Sequence, residues 1–353
     1  MKKIILTGGG TAGHVSPNLA LLPHLLEKGY EVHYIGTKDG IEREMMTLPG
    51  VTYHVIHAGK LRRYFDVKNF SDPLNVLLGA GESLGIMRKI KPDALFSKGG
   101  FVSVPVVWAA SRCAVPILCH ESDITPGLAN RICARYAQKV CTTFKECADA
   151  LGSKGVWTGT PLRASLFQGS RDKGLSMAGF AGAKPVLLVM GGSQGARAIN
   201  MALREALPQL TKGYDIMHLC GKGHMDETLE GTKGYWQAEF LSGALPDVLA
   251  AADMVLSRAG ANALSEFEAL HIPMLLIPLP LSASRGDQIQ NAESFVKRGI
   301  AAILYQEDLL VDSLKAAIDA LEEERPHMLA RLREISPTQG TMNVLREMEN
   351  VQK

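Results

Sequence analysis

Lys3-Ile4-Ile5-Leu6-Thr7-Gly8-Gly9-Gly10-Thr11-Ala12-Gly13-His14 is the stretch whose reading decides the fold: a short apolar run that stops in glycines. Behind it, Leu19, Leu22, Leu25 and Leu26 recur at helical spacing, so the order is strand, glycine turn, helix. Working outward, residues 31–35 read as a strand, 40–47 as a helix, 94–97 as a strand, 104–112 as a helix and 116–120 as a strand. Strands that alternate with helices predict a mostly parallel sheet.

At Pro185 the opening repeats. Residues 186–190 are apolar and end in Gly191-Gly192, and Ile199, Leu203, Leu207 and Leu210 then share one helical face. Strands are predicted at 216–220, 254–257, 274–277 and 300–304, with helical segments such as 263–270 between them. The fold class is therefore α/β, with two Rossmann-like doubly wound domains expected to face each other across a cleft lined by the carboxyl ends of their strands. Residues 155–182 hold the breaker cluster Gly159-Thr160-Pro161 and no long apolar run, which marks them as a linker.

Length and composition agree. At about 150 residues per domain, 353 residues suit two domains. The 38 Lys+Arg against 36 Asp+Glu leave a net charge of +2, too little to neutralise a nucleic-acid backbone. No run approaches a membrane-spanning length, and Gly8 to Gly10 end the first apolar run well short of a signal-peptide core, so no export is expected. Cys113, Cys119, Cys133, Cys141, Cys147 and Cys220 show neither paired nor zinc-ligand spacing and read as reduced cytosolic thiols.

Three strand-to-helix turns carry chemistry. Gly8, Gly10 and Gly13 form G-x-G-x-x-G, which lets backbone amides approach a phosphate. A dinucleotide site would also want an acidic residue ending the second strand, yet that strand ends Tyr34-Ile35-Gly36-Thr37, with Asp39 beyond it. A nicotinamide or flavin site and a purely structural turn remain alternatives there. Gly191-Gly192-Ser193-Gln194-Gly195 suits a diphosphate, with the Ser193 hydroxyl beside a helix dipole; the plainer reading is a capped turn. In Arg258-Ala259-Gly260-Ala261-Asn262-Ala263-Leu264-Ser265-Glu266, a carboxylate expected in the first helical turn can accept from two ribose hydroxyls or serve as a dipole-favoured cap. Together with Gln288 and Asn291 after Pro278 and Pro280, the turns suggest a nucleotide-sugar cleft.

The ordered set Gly9-Gly10-Thr11-Ala12-Gly13-His14, His120-Glu121-Ser122-Asp123, Gly159-Thr160-Pro161-Leu162-Arg163, Gly191 to Arg197 and Arg258 to Glu266 resembles the motifs of the MurG family of N-acetylglucosaminyltransferases. The resemblance spans residues 3 to about 343. It implies a GT-B fold and an inverting transfer of N-acetylglucosamine from UDP-N-acetylglucosamine to the 4-hydroxyl of the muramoyl residue of lipid I, giving lipid II. An acceptor domain of 1–162 with 337–353 and a donor domain of 163–336 follow from it, the last helix crossing back to the first domain. It implies no metal and no cofactor. Carried over by position, Ser193 meets the donor diphosphate, Leu241 the uracil, Arg163 the nucleotide and Glu266 the ribose. Ala261, Asn262, Ala263, Leu264, Ser265 and Gln288 reach the sugar and its phosphates, and Thr11, Ala12 and Gly13 line the sugar's other side. His14, Glu121, Asn200 and Arg258 match positions important in the family.

Two departures stand out. Where the family often has His-Glu-Gln-Asn, this chain has His120-Glu121-Ser122-Asp123, so an acceptor-only carboxylate replaces an amide and Asp123 becomes a candidate for sugar binding or for the base role. A frequent family tyrosine is Phe101. His14, with an ordinary pKa of about 6.5, is the expected general base, and Glu121 and Asp123 compete with it.

A lipid acceptor implies docking at the cytoplasmic face of the membrane as a peripheral protein. The segment 60–70 interleaves Arg62, Arg63 and Lys68 with Phe65 and Phe70, a pattern suited to the anionic inner leaflet, with an ordinary loop as the plain alternative. Contact with other cell wall synthesis proteins is a further expectation from the resemblance. The rival functions are another UDP-sugar glycolipid transferase, a UDP-sugar epimerase, an NAD-dependent oxidoreductase and a non-catalytic nucleotide-sugar sensor.

Overall fold

The computed structural model describes residues 1–59, 68–192, 194–241, 243–335 and 339–352, with the helical backbone alone for 68–71. It divides into two compact units, Met1–Arg163 with Thr338–Lys353, and Ala164–Pro337.

The first unit runs β1 Lys3–Thr7, α1 Ser16–Glu27, β2 Glu31–Gly36, α2 Ile41–Met46, β3 Val51–Val55, α3 Lys68–Ile90, β4 Ala94–Ser97, α4 Ser103–Arg112 and β5 Ile117–Glu121. It continues through α5 Leu128–Cys133, β6 Lys139–Thr142, α6 Lys145–Ala150 and β7 Gly155–Trp157. The second unit holds α7 Arg171–Ala178, β8 Val186–Met190, α8 Arg197–Leu210, β9 Asp215–Leu219, β10 Tyr235–Ala238, α9 Leu245–Ala251 and β11 Met254–Ser257. There follow α10 Ala261–Ala269, β12 Met274–Leu276, α11 Asp287–Lys297, β13 Ala301–Ile303 and α12 Val311–Glu334, before α13 Gly340–Val351 rejoins the first unit.

The strand pairs in both sheets are parallel, in the orders β3-β2-β1-β4-β5-β6-β7 and β10-β9-β8-β11-β12-β13. Both faces of each sheet are covered, which is why the strands read as unbroken apolar runs. In β1, Ile4 and Leu6 pack with Leu21, Leu25, Phe96 and Leu118 on one face, while Ile5 packs with Leu95, Val106 and Ile117 on the other. The expected face of α8, with Ile199, Leu203, Leu207 and Leu210, lies on Leu187 and Val189 of β8.

The passage between units falls inside the composition-based linker, but much of that stretch is structured. Residues 155–157 form the edge strand β7, and 171–178 form α7, and the passage between units falls at Arg163–Ala164. Helix α7 escapes an apolar-pattern search because polar ties hold it: Asp247 accepts from the Ser170 amide (2.7 Å), and Arg171 donates to the Ala251 carbonyl (2.7 Å) and the Asp253 carboxylate (3.0 Å).

Helix α13 completes the first core with Val344, Leu345 and Met348. It is seated on the Gly159 to Arg163 motif: the Thr341 hydroxyl donates to the Leu162 carbonyl (3.1 Å) and Asn343 donates to the Thr158 carbonyl (3.1 Å). Gly340 starts the helix because a Cβ there would stand 2.2 Å from the Thr160 carbonyl oxygen. Leu345→Ala, 2 % exposed, is expected to cost the first unit about 2–5 kcal/mol in urea unfolding. Met342→Ala on the exposed side of the same helix is expected to change stability by under about 0.5 kcal/mol.

Candidate active site

The first half-site forms where the order of the first sheet reverses, between β1 and β4. After β1 the chain passes through the glycines into one 3-10 turn, Ala12–His14. The Thr11 hydroxyl lies 2.9 Å from His14 Nδ1, leaving Nε2 as the other proton-exchanging atom. Burial, and then the Lys98 ammonium, lower the His14 pKa to about 4. The expectation of a side chain balanced near 6.5 is thereby corrected: this imidazole is neutral throughout the physiological range.

The glycine turn already faces an anion. Glu42, fully buried, accepts from the Gly10 amide (3.2 Å) with one oxygen and from the Thr37 amide (3.1 Å) and hydroxyl (2.5 Å) with the other. A dinucleotide phosphate at this turn would compete with that carboxylate, which weighs against the nicotinamide reading. Sequence reasoning looked for the acid at the end of β2 and passed over one in α2.

Lys98, directly after β4, is 1 % exposed. Its ammonium donates to the Ser122 hydroxyl. Burial lowers its pKa to about 8 against the opposing pull of the Glu121 and Asp123 carboxylates. It too was missed, although a lysine between the apolar run 94–97 and Gly99-Gly100 was a visible signal.

Glu121 ends β5. One carboxylate oxygen accepts from the amides of Ser122 (2.7 Å) and Asp123 (3.0 Å), the other from the Gly127 amide (3.0 Å) and Asn130 Nδ2 (2.8 Å). Four donors fill the acceptor sites of a carboxylate, so Glu121 shapes the loop 122–127 that carries the half-buried Asp123. His120 is fully buried with Nε2 3.1 Å from the Gly159 carbonyl oxygen, and burial holds its pKa well below the ordinary value.

The second half-site forms at the corresponding reversal, between β8 and β11. Gly195 takes φ +73°, and a Cβ there would stand 2.2 Å from the Cys220 carbonyl oxygen, so the turn after β8 packs against the end of β9. Ser193 lies outside the described residues. Asn200 is buried and doubly committed: Nδ2 donates to the Cys220 carbonyl (2.8 Å) and Oδ1 stands 3.0 Å from His218 Nε2. Burial and then Arg204 push the His218 pKa down to about 3.

Arg258 spans the ends of β11 and β12. It donates to the carbonyls of Ile277 (2.9 Å) and Pro278 (3.2 Å) and to the Gln306 side chain (2.6 Å). Gln288 accepts from the Leu279 amide (3.0 Å), and Asn291 donates to the Ala259 carbonyl (3.2 Å). Asn200, Arg258, Gln288 and Asn291 thus brace the loops that hold the N-termini of α8, α10 and α11.

Helix α10 begins at Ala261, with Gly260 as an N-cap that offers no side-chain acceptor. Ala261 to Ser265 fill its first positions, and the Ser265 hydroxyl donates back to the Ala261 carbonyl (3.0 Å). Glu266 falls in the second turn rather than the first, so it is not an N-terminal cap. Leu241 follows β10 and is half-buried beside the exposed Phe240. Arg163 is the last residue of the first unit's main segment and is half-buried.

Arg62, Arg63 and Phe65 lie outside the described residues, as do the side chains of Lys68 and Phe70 in α3. Leu74, Leu77 and Leu78 of that helix are 59 %, 70 % and 48 % exposed. No described helix is long and apolar enough to cross a membrane. Among the described residues no three His, Cys, Asp or Glu side chains converge as a metal site.

The buried histidines make stability depend on pH. His14, His120 and His218 all have lowered pKa values, so below about 6.5 the unfolded chain takes up protons that the folded chain refuses. Stability is expected to be full above pH 7 and to fall as pH drops through 6.5 toward 4. At pH 5.5 the loss is roughly 1 kcal/mol for each such histidine. Urea midpoints at pH 7.5 and 5.5 check this, and equal midpoints would contradict it.

Comparison with known proteins fits this geometry. The model of the glycosyltransferase family 28 N-terminal domain matches residues 4–142, and that of its C-terminal domain matches 186–342. A Bacillus cereus protein named UDP-N-acetylglucosamine–N-acetylmuramyl-(pentapeptide) pyrophosphoryl-undecaprenol N-acetylglucosamine transferase 2 is 50 % identical over 349 residues, 99 % of each chain. A Clostridium kluyveri transferase, named likewise but without the final numeral, is 55 % identical over 320 residues, covering 89 % of this chain and 91 % of its own. The crystal structure of Acinetobacter baumannii MurG matches with a TM-score of 0.77 at 24 % identity, covering 99 % of this chain and 100 % of that one. The chain belongs to glycosyltransferase family 28, among its MurG members, and has their two-domain GT-B fold.

Proposed function

We propose that the chain moves N-acetylglucosamine from UDP-N-acetylglucosamine to the 4-hydroxyl of the muramoyl residue of lipid I, with inversion at the anomeric carbon, giving lipid II for peptidoglycan synthesis. The observation that carries the reading is near-full-length identity of about 50 % to transferases of that name. No other UDP-sugar reaction is favoured by a specific feature of either half-site.

In this reading the second unit holds the donor. The 191–196 turn and the N-terminus of α10 offer main-chain N–H groups and helix dipoles to the diphosphate, offsetting the charge that grows as UDP departs. Ser193 and Arg163 add to that field. Glu266, one turn further along α10, accepts from the ribose hydroxyls, and Leu241 borders the uracil. Ala261 to Ser265 and Gln288 meet the sugar and its phosphates. The bracing by Asn200 and Arg258 fixes the geometry, because amides aimed in advance need no reorganisation when charge develops.

The first unit holds the acceptor, with Thr11, Ala12 and Gly13 along the transferred sugar. His14 takes the proton from the muramoyl hydroxyl. With a pKa near 4 it is a weak base by itself, but the substrates' diphosphates bring negative charge that raises it. Proton transfer is therefore tied to substrate occupancy. Asp123 is the second proton acceptor within the half-site, whereas Glu121 is committed to its four donors.

Lipid I keeps the reaction at the cytoplasmic face of the membrane. Leu74, Leu77 and Leu78 form one apolar stripe on α3, and the basic and aromatic residues Arg62, Arg63, Phe65, Lys68 and Phe70 precede or open that helix, a combination suited to an anionic leaflet.

The test is release of UDP from UDP-N-acetylglucosamine with a soluble lipid I analogue. The expected result is release that requires both substrates and falls about 10²-fold or more in His14→Ala with donor binding unchanged. Release without acceptor would point to a hydrolase, and conversion of the UDP-sugar without release of UDP to an epimerase. Near-normal turnover by His14→Ala would remove His14 from the base role.

A further inference from the structure

His218 is a fully buried imidazole that the mechanism above leaves unused. Alternation along β9 places it on the face shared with Ile216, which α8 covers with Ile199 and Leu203. A ring with two polar nitrogens is costly on such a face unless both are answered, and both are. Nε2 lies 3.0 Å from Asn200 Oδ1, and Nδ1 lies 2.8 Å from the Tyr235 hydroxyl.

These contacts fix where each hydrogen sits. The Cys220 carbonyl can only accept, so the Asn200 atom facing it at 2.8 Å is the amide nitrogen, and Oδ1 is turned to the ring. Nε2 therefore carries the hydrogen. Burial, with Arg204 nearby, keeps the ring neutral at physiological pH, so Nδ1 is the acceptor and the Tyr235 hydroxyl donates to it. Gln237 Oε1 is farther from that hydroxyl, at 3.3 Å, and already accepts from the Asp226 amide (3.2 Å). At the other end of the chain of bonds, the Cys220 carbonyl meets the turn after β8. A Cβ on Gly195 would stand 2.2 Å from its oxygen, and one on Gly221 would stand 2.3 Å from the Gly195 nitrogen.

We propose that His218 is a positioning residue for the donor diphosphate. Held as the Nε2–H tautomer by the Tyr235 hydroxyl, it orients the Asn200 amide. That amide pins the Cys220 carbonyl against Gly195 and so fixes the end of the turn that opens α8. This rests on the transferase reading and deepens it, naming what keeps the turn's main-chain N–H groups aimed before charge develops. An apolar side chain at position 218 would fill the space and leave Asn200 Oδ1 unanswered, whereas a glutamine would keep one donor and one acceptor.

Calorimetric titration with UDP reads the effect directly. His218→Leu is expected to weaken UDP binding about tenfold or more, and His218→Gln to stay within about threefold of wild type. Tyr235→Phe, which leaves Nδ1 without its donor, is expected to weaken binding about fivefold and serves if His218→Leu does not fold. Tyr214→Phe removes a hydroxyl bonded to Asp319 (3.0 Å) in the same core. It is expected to leave UDP affinity within about twofold, which separates positioning from a general loss of stability. In turnover by His218→Leu, KM for UDP-N-acetylglucosamine is expected to rise while KM for the lipid I analogue stays within about twofold of wild type. Nitrogen NMR of the His218 ring is expected to show the hydrogen on Nε2 in wild type and exchange between both nitrogens in Tyr235→Phe. Unchanged UDP affinity in His218→Leu and Tyr235→Phe, or a hydrogen on Nδ1 in wild type, would overturn the proposal. If wild type binds UDP yet transfers nothing to the analogue, the transferase reading has failed while the UDP affinities still test His218.

Discussion

The structure depends on one constraint: a parallel strand that turns sharply into a helix leaves that helix's first N–H groups without partners inside the helix, and something must answer them. The two units meet this demand differently. In the first, the chain's own carboxylates tie down the turns that lead into the helices, Glu42 accepting from the Gly10 and Thr37 amides and Glu121 from those of Ser122, Asp123 and Gly127. In the second, Asn200, Arg258, Gln288 and Asn291 brace the loops through carbonyls, a neighbouring side chain and one main-chain amide, without supplying an anion to the N-terminus of α10. Two similar domains thereby acquire different tasks. The first holds a cluster of buried ionisable groups, and in the proposed reading the second offers the N–H groups at its helix starts to a diphosphate.

Much of this was legible in the sequence. Apolar runs ending in glycine located β1 and β8, and leucine spacing located α1 and α8, because strands covered on both faces must be apolar throughout. Elements held by polar ties were not legible. Helix α7 is anchored by Ser170, Arg171, Asp247 and Asp253, which leave no periodic apolar signal, and the edge strand β7 is three residues long.

The same limit governed the site. The motifs named strand-to-helix turns that the structure contains, but residue type alone could not tell which side chains are committed to holding a loop. Glu121, Asn200 and Arg258 look equally reactive on paper, and each has its polar atoms engaged by neighbouring backbone or side chains. Position 266 lay one turn beyond its expected place because α10 starts at Ala261. Lys98 and Glu42 were missed because a buried charge is recognised only once its surroundings are known. His14 shows the effect on chemistry: it lies in the turn after the glycines, but burial and a nearby ammonium set its proton affinity far from the ordinary value.

The central claim is that main-chain nitrogens of the second unit hold a diphosphate. The most direct measurement is backbone amide NMR of the full chain titrated with UDP and, separately, with uridine. The account predicts that UDP shifts the amides of residues 191–196 and 261–263 while uridine leaves them nearly unmoved. Absence of UDP binding, or equal shifts from uridine at those amides, would contradict it.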